Sequence, residues 1–363
     1  MGNKKINVTE SYLPEKEDFF ELINEIWESK TLTNRGLMVQ KLENNISNFL
    51  ELSSEYEIIA MCNGTIPLQI MLKLLGKKGE IITTPFSYIA TTSSILWENC
   101  TPIFADINSE TLCIDEKKIE SLITNKTTCI LATHVFGNPC AIEELQRIAD
   151  KHCIKLLYDG AHSFGVKYRG KSIMEYGDIT SCSFHATKIF HTAEGGAVFA
   201  KKEYIQNIFR MHNFGHNGPS EFDTVGINGK MNELSAALGL LNLKSFWNIV
   251  EKRKFICQFY DREIDWSYIV KPLKRKYTEP NYSYYPIIFD SEKHMNRALS
   301  ELNKKNIFPR KYFYPSLNLL NFLEKKYDCP ISEKIASTIL CLPLSTYLNQ
   351  SDLKKIVKVI NNL

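Results

Sequence analysis

Short apolar runs alternate with helical patterns between about residue 55 and about residue 200 of the chain. Runs rich in apolar and β-branched residues predict strands, whereas apolar residues that recur every three or four positions predict helices. The predicted strands are 57–61, 80–84, 103–105, 128–133 and 154–158, and the predicted helices are 66–75, 116–124 and a segment with Ile142, Leu145, Ile148 and Ala149 on one face. This alternation predicts an α/β fold with a mostly parallel sheet, whose ligands bind at the carboxyl ends of the strands.

The pattern changes near residue 245. Residues 232–243 predict an apolar helix and residues 245–263 a second, more charged one, followed by a basic, proline-containing connection over 271–281. A strand over 283–289 and helices over 292–306 and 351–362, the last with Ser351 as its N-cap, predict a smaller α/β unit. We therefore expect a large domain over residues 1–245 and a small C-terminal domain over 246–363. The N-terminal segment is the exception, because it is a candidate to pack on the small domain.

Composition narrows the class of protein. The net charge of +3 on 363 residues gives no electrostatic reason to expect a nucleic-acid partner or a membrane surface. The ten cysteines are scattered without C-x-x-C pairs or metal-ligand spacing, which is typical of reduced thiols and predicts no metal site. No stretch approaches the roughly 20 apolar residues of a membrane span. We expect a soluble, cytoplasmic protein.

Three features fall at predicted strand ends. The first is Asn63-Gly64-Thr65, between a strand and a helix. Free N–H groups at a helix N-terminus attract anions, so Gly64 and Thr65 are candidates to hold a phosphate. The alternative is an ordinary capped helix behind a turn.

The second feature is Asp159, directly after the strand 154–158. A carboxylate here is a candidate partner for a pyridine nitrogen, which it would keep protonated so that the ring withdraws electrons. The alternative is a carboxylate that caps a turn. His162, three residues further on, is a candidate to bind a phenolic oxygen, or a structural histidine.

The third feature is the segment 181–198, in which Lys188 lies among apolar residues ahead of Gly195 and Gly196. Lysine is usually exposed, and burial lowers its pKa and makes its amine a nucleophile for a carbonyl group. The hydroxyls of Ser183 and Thr187 are within reach of a phosphate in the same segment.

Together these motifs resemble the DegT/DnrJ/EryC1/StrS family of sugar aminotransferases over nearly the whole chain. The residues that carry the resemblance are 63–65 (NGT), 85–91 (PFSYIAT), 134–139 (HVFGNP), 159–162 (DGAH), 183–188 (SFHATK), 194–196 (EGG), 226–239 and 341–344 (CLPL). The resemblance implies the aspartate-aminotransferase fold, which is fold type I of the enzymes that use pyridoxal 5′-phosphate (PLP). It also implies a large domain with a mostly parallel sheet and a small C-terminal α/β domain.

The resemblance also implies roles for individual residues. Lys188 matches the lysine that binds PLP covalently and moves the substrate proton. Asp159 matches the partner of the pyridine nitrogen, His162 the contact to the 3-oxygen, and Tyr88 the aromatic ring that stacks on the pyridine. Gly64, Thr65 and Ser183 match phosphate contacts, and Asn228 matches an asparagine that reaches the phosphate of the neighbouring subunit. A homodimer with shared active sites is therefore implied. Ala193 replaces a frequent glycine, and Gly229 a frequent aromatic residue.

Segments 6–14, 27–36 and 310–317 are most similar to the viosamine-forming members of the family. The similarity implies amination of C-4 of dTDP-4-keto-6-deoxy-D-glucose with L-glutamate as amino donor, in surface polysaccharide biosynthesis. It places Arg310, Tyr312 and Tyr314 near the nucleotide-sugar, although ordinary surface residues are the alternative. An aminotransferase for C-3 of a dTDP-3-keto-6-deoxyhexose remains open. So does a PLP-binding homologue with only a regulatory role.

Overall fold

The computed structural model describes residues 4–363, which form ten α-helices and fifteen strands. The helices are α1 Lys16–Ser29, α2 Leu37–Phe49, α3 Thr65–Met71, α4 Ile89–Trp97, α5 Ile142–Lys151, α6 Lys202–Met211, α7 Glu233–Glu263, α8 Glu292–Lys304, α9 Pro330–Thr338 and α10 Gln350–Asn361. The strands are β1 Ile6–Asn7, β2 Tyr56–Met61, β3 Glu80–Thr83, β4 Thr101–Phe104, β5 Thr127–Thr133, β6 Lys155–Asp159, β7 Lys167–Tyr168, β8 Lys171–Ser172, β9 Ile179–Ser183, β10 Gly196–Lys201, β11 Ile269–Val270, β12 Thr278–Glu279, β13 Pro286–Phe289, β14 Ile307–Phe308 and β15 Ile339–Cys341.

A seven-stranded sheet with the order β2-β10-β9-β6-β5-β3-β4 forms the centre of the molecule. Four of its six strand pairs in the described part of the chain are parallel, and β10 runs antiparallel to both of its neighbours. Almost every residue of these strands is buried, as expected for a sheet with helices on both faces. The predicted α/β fold with a mostly parallel sheet is confirmed.

Two apolar layers cover the sheet. On one face α2, α5 and α7 contribute Leu42, Leu145 and Phe246 to the largest core cluster. On the other face α3 and α6 bury Leu68 and Ile208. Because both faces are covered, polar groups of the sheet are left accessible at the ends of the strands, where a site is expected.

A separate core lies towards the C-terminus. The end of α7 packs there with α8, α10 and the sheet β11-β13-β15, and Tyr260 is fully buried among them. The N-terminal segment joins this part, because β1 pairs with β14 and Ile6 is buried in the same cluster. The domain boundary that we predict at residue 245 lies inside the continuous helix α7, and the division into two domains stays a prediction.

Three local predictions are wrong. The two helices expected over 232–243 and 245–263 form the single helix α7, because the sequence becomes more charged there without a helix-breaking residue. Segment 116–124 forms two 3₁₀ turns, Glu116–Lys118 and Glu120–Leu122, since so short a segment gains too few hydrogen bonds to extend an α-helix. The N-cap of the last helix is Asn349 rather than Ser351, and it forms a capping box with Asp352.

Within residues 4–363, none of the helices combines the length and the apolar composition that crossing a membrane requires. The same residues contain no group of three or more His, Cys, Asp or Glu side chains placed to hold a metal ion.

Candidate active site

A cavity of about 290 Å³ opens at the carboxyl ends of β2, β6 and β9. Gly64 follows β2, Asp159 ends β6 and Ser183 ends β9, so the sheet brings together three features that are far apart in the sequence. The predicted residues that line the cavity are Gly64, Thr65, Tyr88, Asp159, His162, Ser183, Thr187, Lys188 and Tyr312.

Gly64 and Ser183 are in close contact in the cavity wall. A Cβ atom on Gly64 would lie 2.6 Å from Ser183 Cβ and 2.8 Å from Ser183 Oγ, so only glycine fits here without a shift. The side chain of Asn63 accepts hydrogen bonds from the backbone N–H groups of Thr65 and Ile66, both at 2.9 Å. The N–H of Thr65 is therefore already paired, and the hydroxyls of Thr65, Ser183 and Thr187 in the cavity wall are candidate donors to a phosphate.

Asp159 is a buried carboxylate held in a fixed orientation. Its Oδ2 accepts a hydrogen bond from Thr91 Oγ1 at 2.7 Å, and its Oδ1 accepts one from the N–H of Ala161 at 3.0 Å. Thr133 donates to Ser87 at 3.2 Å, and Ser87 and Thr91 are 2.8 Å apart. If Ser87 donates to Thr91, the three hydroxyls point their protons in series towards the carboxylate, which stabilises its negative charge.

His162 is neutral in this environment. Burial and then the nearby charge of Lys188 hold the pKa of its imidazole well below the ordinary range. Its Nδ1 accepts a hydrogen bond from the N–H of Phe136 at 3.2 Å, so the single proton of the neutral ring is on Nε2. His162 therefore offers a hydrogen-bond donor and no positive charge.

Lys188 lies half-buried in the wall of the cavity. Burial lowers the pKa of its ammonium group, and the negative charge of Asp159 opposes part of that change. The amine Nζ is 3.4 Å from the hydroxyl oxygen of Tyr284. A lysine with a lowered pKa is unprotonated more often near neutral pH, and its free amine can attack a carbonyl carbon.

Aromatic rings form the remaining wall. Phe313 stacks on His162 with a centroid distance of 5.4 Å and an interplanar angle of 6°, and Phe136 stacks on Phe313 at 5.8 Å. Tyr88, at the start of α4, is 60% exposed although it lines the cavity. A flat ring with one free face is suited to stack on a planar ligand.

Three predicted residues do not line the cavity. Arg310 is exposed, and its backbone pairs with that of Cys341. Tyr314 is 55% exposed beneath the ammonium group of Lys311. Asn228 is exposed in a loop whose next residue, Gly229, accepts a hydrogen bond from the N–H of Cys62 at 2.8 Å. Their predicted roles towards the nucleotide-sugar and the neighbouring subunit stay predictions.

Three residues of the site have no role that the sequence predicts. Thr91 lies in the first turn of α4, and the chain just before this helix brings the hydroxyl of Ser87 to 2.8 Å from that of Thr91. Tyr284 and Phe313 come from the segment after α7 and reach the cavity only through the tertiary structure. Nothing in the local pattern around Tyr284 distinguishes it from Tyr282 and Tyr285.

The fold and this donor set define a class of protein, the PLP-dependent transferases of fold type I. The residues present fit PLP: an amine for an aldehyde, a buried carboxylate for a pyridine nitrogen and an imidazole N–H for a phenolic oxygen. The hydroxyls of Thr65, Ser183 and Thr187, which line the same cavity, suit a phosphate.

The chain belongs to the DegT/DnrJ/EryC1/StrS aminotransferase family, whose sequence model matches residues 14–361. It is 39% identical to the dTDP-4-amino-4,6-dideoxy-D-glucose transaminase of Shigella dysenteriae, over 99% of both chains. Its structure is similar to that of DesI in the presence of its TDP-sugar product, with a TM-score of 0.92, 26% identity and coverage of 99% of this chain and 92% of the other. It is also similar to the PLP form of the sugar aminotransferase Spr1654 from Streptococcus pneumoniae, described as putative, with a TM-score of 0.90, 25% identity and coverage of 99% and 98%.

Proposed function

We propose that this protein uses PLP to transfer the amino group of L-glutamate to C-4 of dTDP-4-keto-6-deoxy-D-glucose, which yields dTDP-4-amino-4,6-dideoxy-D-glucose. The observation that carries the proposal is the single cavity that holds the half-buried Lys188 amine together with the fixed Asp159 carboxylate. The 39% identity to a transaminase named for this amino sugar, over the full chain, supports the choice of substrate.

Bound PLP supplies an electron-withdrawing ring that stabilises negative charge at the substrate carbon during proton transfer. Lys188 would hold the aldehyde carbon of PLP through Nζ, and its amine, when an amino donor occupies that position instead, would move the proton at the donor's α-carbon. Asp159 would hold a proton on the ring nitrogen, and the hydroxyl of Thr91 orients the carboxylate. His162 donates from Nε2 to an oxygen acceptor without adding a positive charge.

The decisive assay incubates the purified protein with PLP, L-glutamate and one keto-sugar at a time, and then locates the new amine by NMR. We expect an amine at C-4 of dTDP-4-keto-6-deoxy-D-glucose and none with the Lys188→Ala variant, which lacks the nucleophile. An amine at C-3 of a dTDP-3-keto-6-deoxyhexose, with no product from the 4-keto-sugar, contradicts the proposed substrate. No turnover of any keto-sugar, with PLP still bound, indicates the regulatory alternative.

The proposed covalent attachment of PLP to Lys188 can be tested separately. Borohydride reduction of the PLP-loaded protein, followed by peptide mapping, should place the label on Lys188 and leave the Lys188→Ala protein unlabelled. A label on any other lysine contradicts the assignment. Lys188→Arg should not restore activity, because a guanidinium group stays protonated and does not act as the nucleophile.

We also propose that the enzyme is a homodimer in which Asn228 of each chain binds the phosphate held by Gly64, Thr65 and Ser183 of its partner. Among the residues of the structure that line the cavity, Lys188 is the only lysine or arginine. A site for a phosphate, a dicarboxylate donor and a nucleotide diphosphate needs more cationic or amide groups than these, and a second chain can supply them through a two-fold interface.

Mixing two inactive variants tests the shared site. An Asn228→Ala chain is combined with a Lys188→Ala chain at a PLP concentration too low for the Asn228→Ala protein alone. A hybrid dimer has one site with both lesions and one intact site, so part of the activity should return. No recovery after subunit exchange, or sedimentation as an active monomer, contradicts the proposal.

A further inference from the structure

The hydroxyl of Tyr284 lies next to the amine of Lys188. Within residues 4–363, its hydroxyl is the one side-chain group at hydrogen-bond distance from Lys188 Nζ, at 3.4 Å. We propose that Tyr284 is a further catalytic residue that holds this amine in the cavity, and that Arg253 is a positioning residue that fixes Tyr284. The inference deepens the proposed function and rests on it, because it assigns a task during amino transfer.

The ring of Tyr284 has little freedom to move. It meets the edges or faces of three aromatic rings: His162 at 4.9 Å, Phe136 at 5.5 Å and Tyr312 at 5.6 Å between centroids. Because these rings come from separate segments of the chain, a rotation of Tyr284 requires several of them to shift. Its hydroxyl is therefore held beside the lysine.

Arg253 fixes the segment that carries Tyr284. It lies on α7, is only 4% exposed and has no carboxylate partner in the described part of the chain. Its Nη1 donates to the carbonyl oxygen of Ser283 at 3.0 Å, and its Nε has no hydrogen-bond partner among the same residues. The hydroxyl of Ser283 in turn donates to the carbonyl oxygen of His162 at 3.0 Å. The guanidinium group thus ties α7 to the backbone of Ser283, and the hydroxyl of Ser283 continues this link to the backbone of His162.

A buried guanidinium group without an anionic partner is costly, because it loses hydration that no countercharge replaces. A methionine or leucine would fill the same volume without this cost. The structure gives Arg253 one interaction that such residues lack, the hydrogen bond to the residue before Tyr284. This contact is the physical reason to assign it a positioning role rather than a packing role.

A neutral phenol suits the proposed task of Tyr284. Burial raises the pKa of its hydroxyl, so the group stays protonated at physiological pH. A neutral hydroxyl accepts a hydrogen bond from a lysine ammonium group and donates one to a free amine. Tyr284 can therefore keep Nζ in one place before and after proton transfer, during the part of the reaction in which Lys188 is not bound to the cofactor.

The test compares Tyr284→Phe with Tyr282→Phe. Both remove one phenolic hydroxyl, but Tyr282 faces Lys274 instead, with the ammonium group 4.9 Å from the ring centroid. In protein stripped of cofactor, the rate at which acetic anhydride modifies Lys188 is measured against pH by peptide mass spectrometry. In PLP-loaded protein, kcat and KM for L-glutamate are measured.

We expect the pKa of Lys188 to fall by about one unit in Tyr284→Phe, because the lost hydrogen bond stabilised the charged amine. We expect kcat to fall by about tenfold to a hundredfold with a smaller change in KM, because a mobile amine is less often in position to move the proton. Tyr282→Phe should leave both quantities unchanged. If Tyr284→Phe behaves like Tyr282→Phe in both measurements, the inference is overturned.

Arg253→Met and Arg253→Lys test the positioning residue. The methionine variant should shift the Lys188 titration and lower kcat, and the lysine variant, which keeps a donor to Ser283, should restore most of both. Wild-type behaviour of Arg253→Met overturns the role of Arg253. The titration of Lys188 needs no substrate, so it tests the contact between Tyr284 and Lys188 even if the wild-type protein aminates none of the keto-sugars. That absence of amination would contradict only the proposed function.

Discussion

Gly64 is the residue of the site whose replacement has the most clearly defined consequence. Its backbone angles, φ −82° and ψ −8°, are accessible to any amino acid, so alanine causes no backbone strain. The obstacle is space, since a Cβ atom would lie 2.6 Å from Ser183 Cβ, 2.8 Å from Ser183 Oγ and 3.0 Å from Ser183 Cα. Inserting a methyl group at a close-packed position costs about 1–3 kcal/mol. We expect Gly64→Ala to lower the free energy of unfolding by that amount.

The same contacts predict a second substitution that partly restores the stability of Gly64→Ala. Two of the three close atoms belong to the Ser183 side chain, so Ser183→Gly removes them and leaves only the 3.0 Å contact to Cα. Ser183→Gly alone should destabilise by about 0.5–1 kcal/mol, because glycine weakens a strand end. The double variant should be more stable than the sum of the two single effects predicts, with a coupling of about 0.5–2 kcal/mol.

Urea unfolding of the cofactor-free proteins, followed by tryptophan fluorescence, measures all four free energies. Wild-type stability of Gly64→Ala would contradict the predicted steric clash. A double variant without coupling would contradict the role of the Ser183 side chain in that clash. A spectroscopic titration with PLP adds a functional readout. There the double variant should stay defective by about tenfold or more, since it lacks the Ser183 hydroxyl and a hydrogen bond to a charged group contributes about 1.5–3 kcal/mol.

Three further predictions concern single residues. Asp159→Asn should retain PLP but lose about two to three orders of magnitude in turnover, because an amide does not hold the ring proton; near-normal turnover would mean that Asp159 only stabilises the turn. Ala193, at φ 65°, should gain about 1 kcal/mol of stability on replacement by glycine, measured by urea unfolding, and an unchanged midpoint contradicts this. Burial lowers the pKa of His134 to about 3 from its ordinary 6.5, so the unfolded chain binds more protons between these values. Its contribution to stability is therefore complete above about pH 6.5 and falls by about 2 kcal/mol between about pH 7 and about pH 5, a loss that His134→Asn should remove from the pH dependence of unfolding.

The sequence by itself determined the layered α/β fold and the residues at the strand ends. The centres of the buried strands β5 and β6, residues 129–132 and 156–158, are apolar because both faces of the sheet are covered, and such runs are visible without a structure. Asp159 and Lys188 were identifiable because a carboxylate after a buried strand and a lysine among apolar residues depart from the usual pattern. Their motifs also matched one family in order and spacing.

The contacts that orient these residues are seen only in the tertiary structure. The hydroxyls of Thr133, Ser87 and Thr91 form a chain that ends on Asp159, because β5 and β6 lie side by side in the sheet next to the start of α4. Tyr284 contacts the amine of Lys188, and Arg253 on α7 contacts Ser283, the residue before Tyr284. Such contacts join residues 30 to 96 positions apart in the chain, and local periodicity carries no information about them. In α7 both kinds of information act together, because its sequence has no helix-breaking residue and the helix packs on both cores of the molecule.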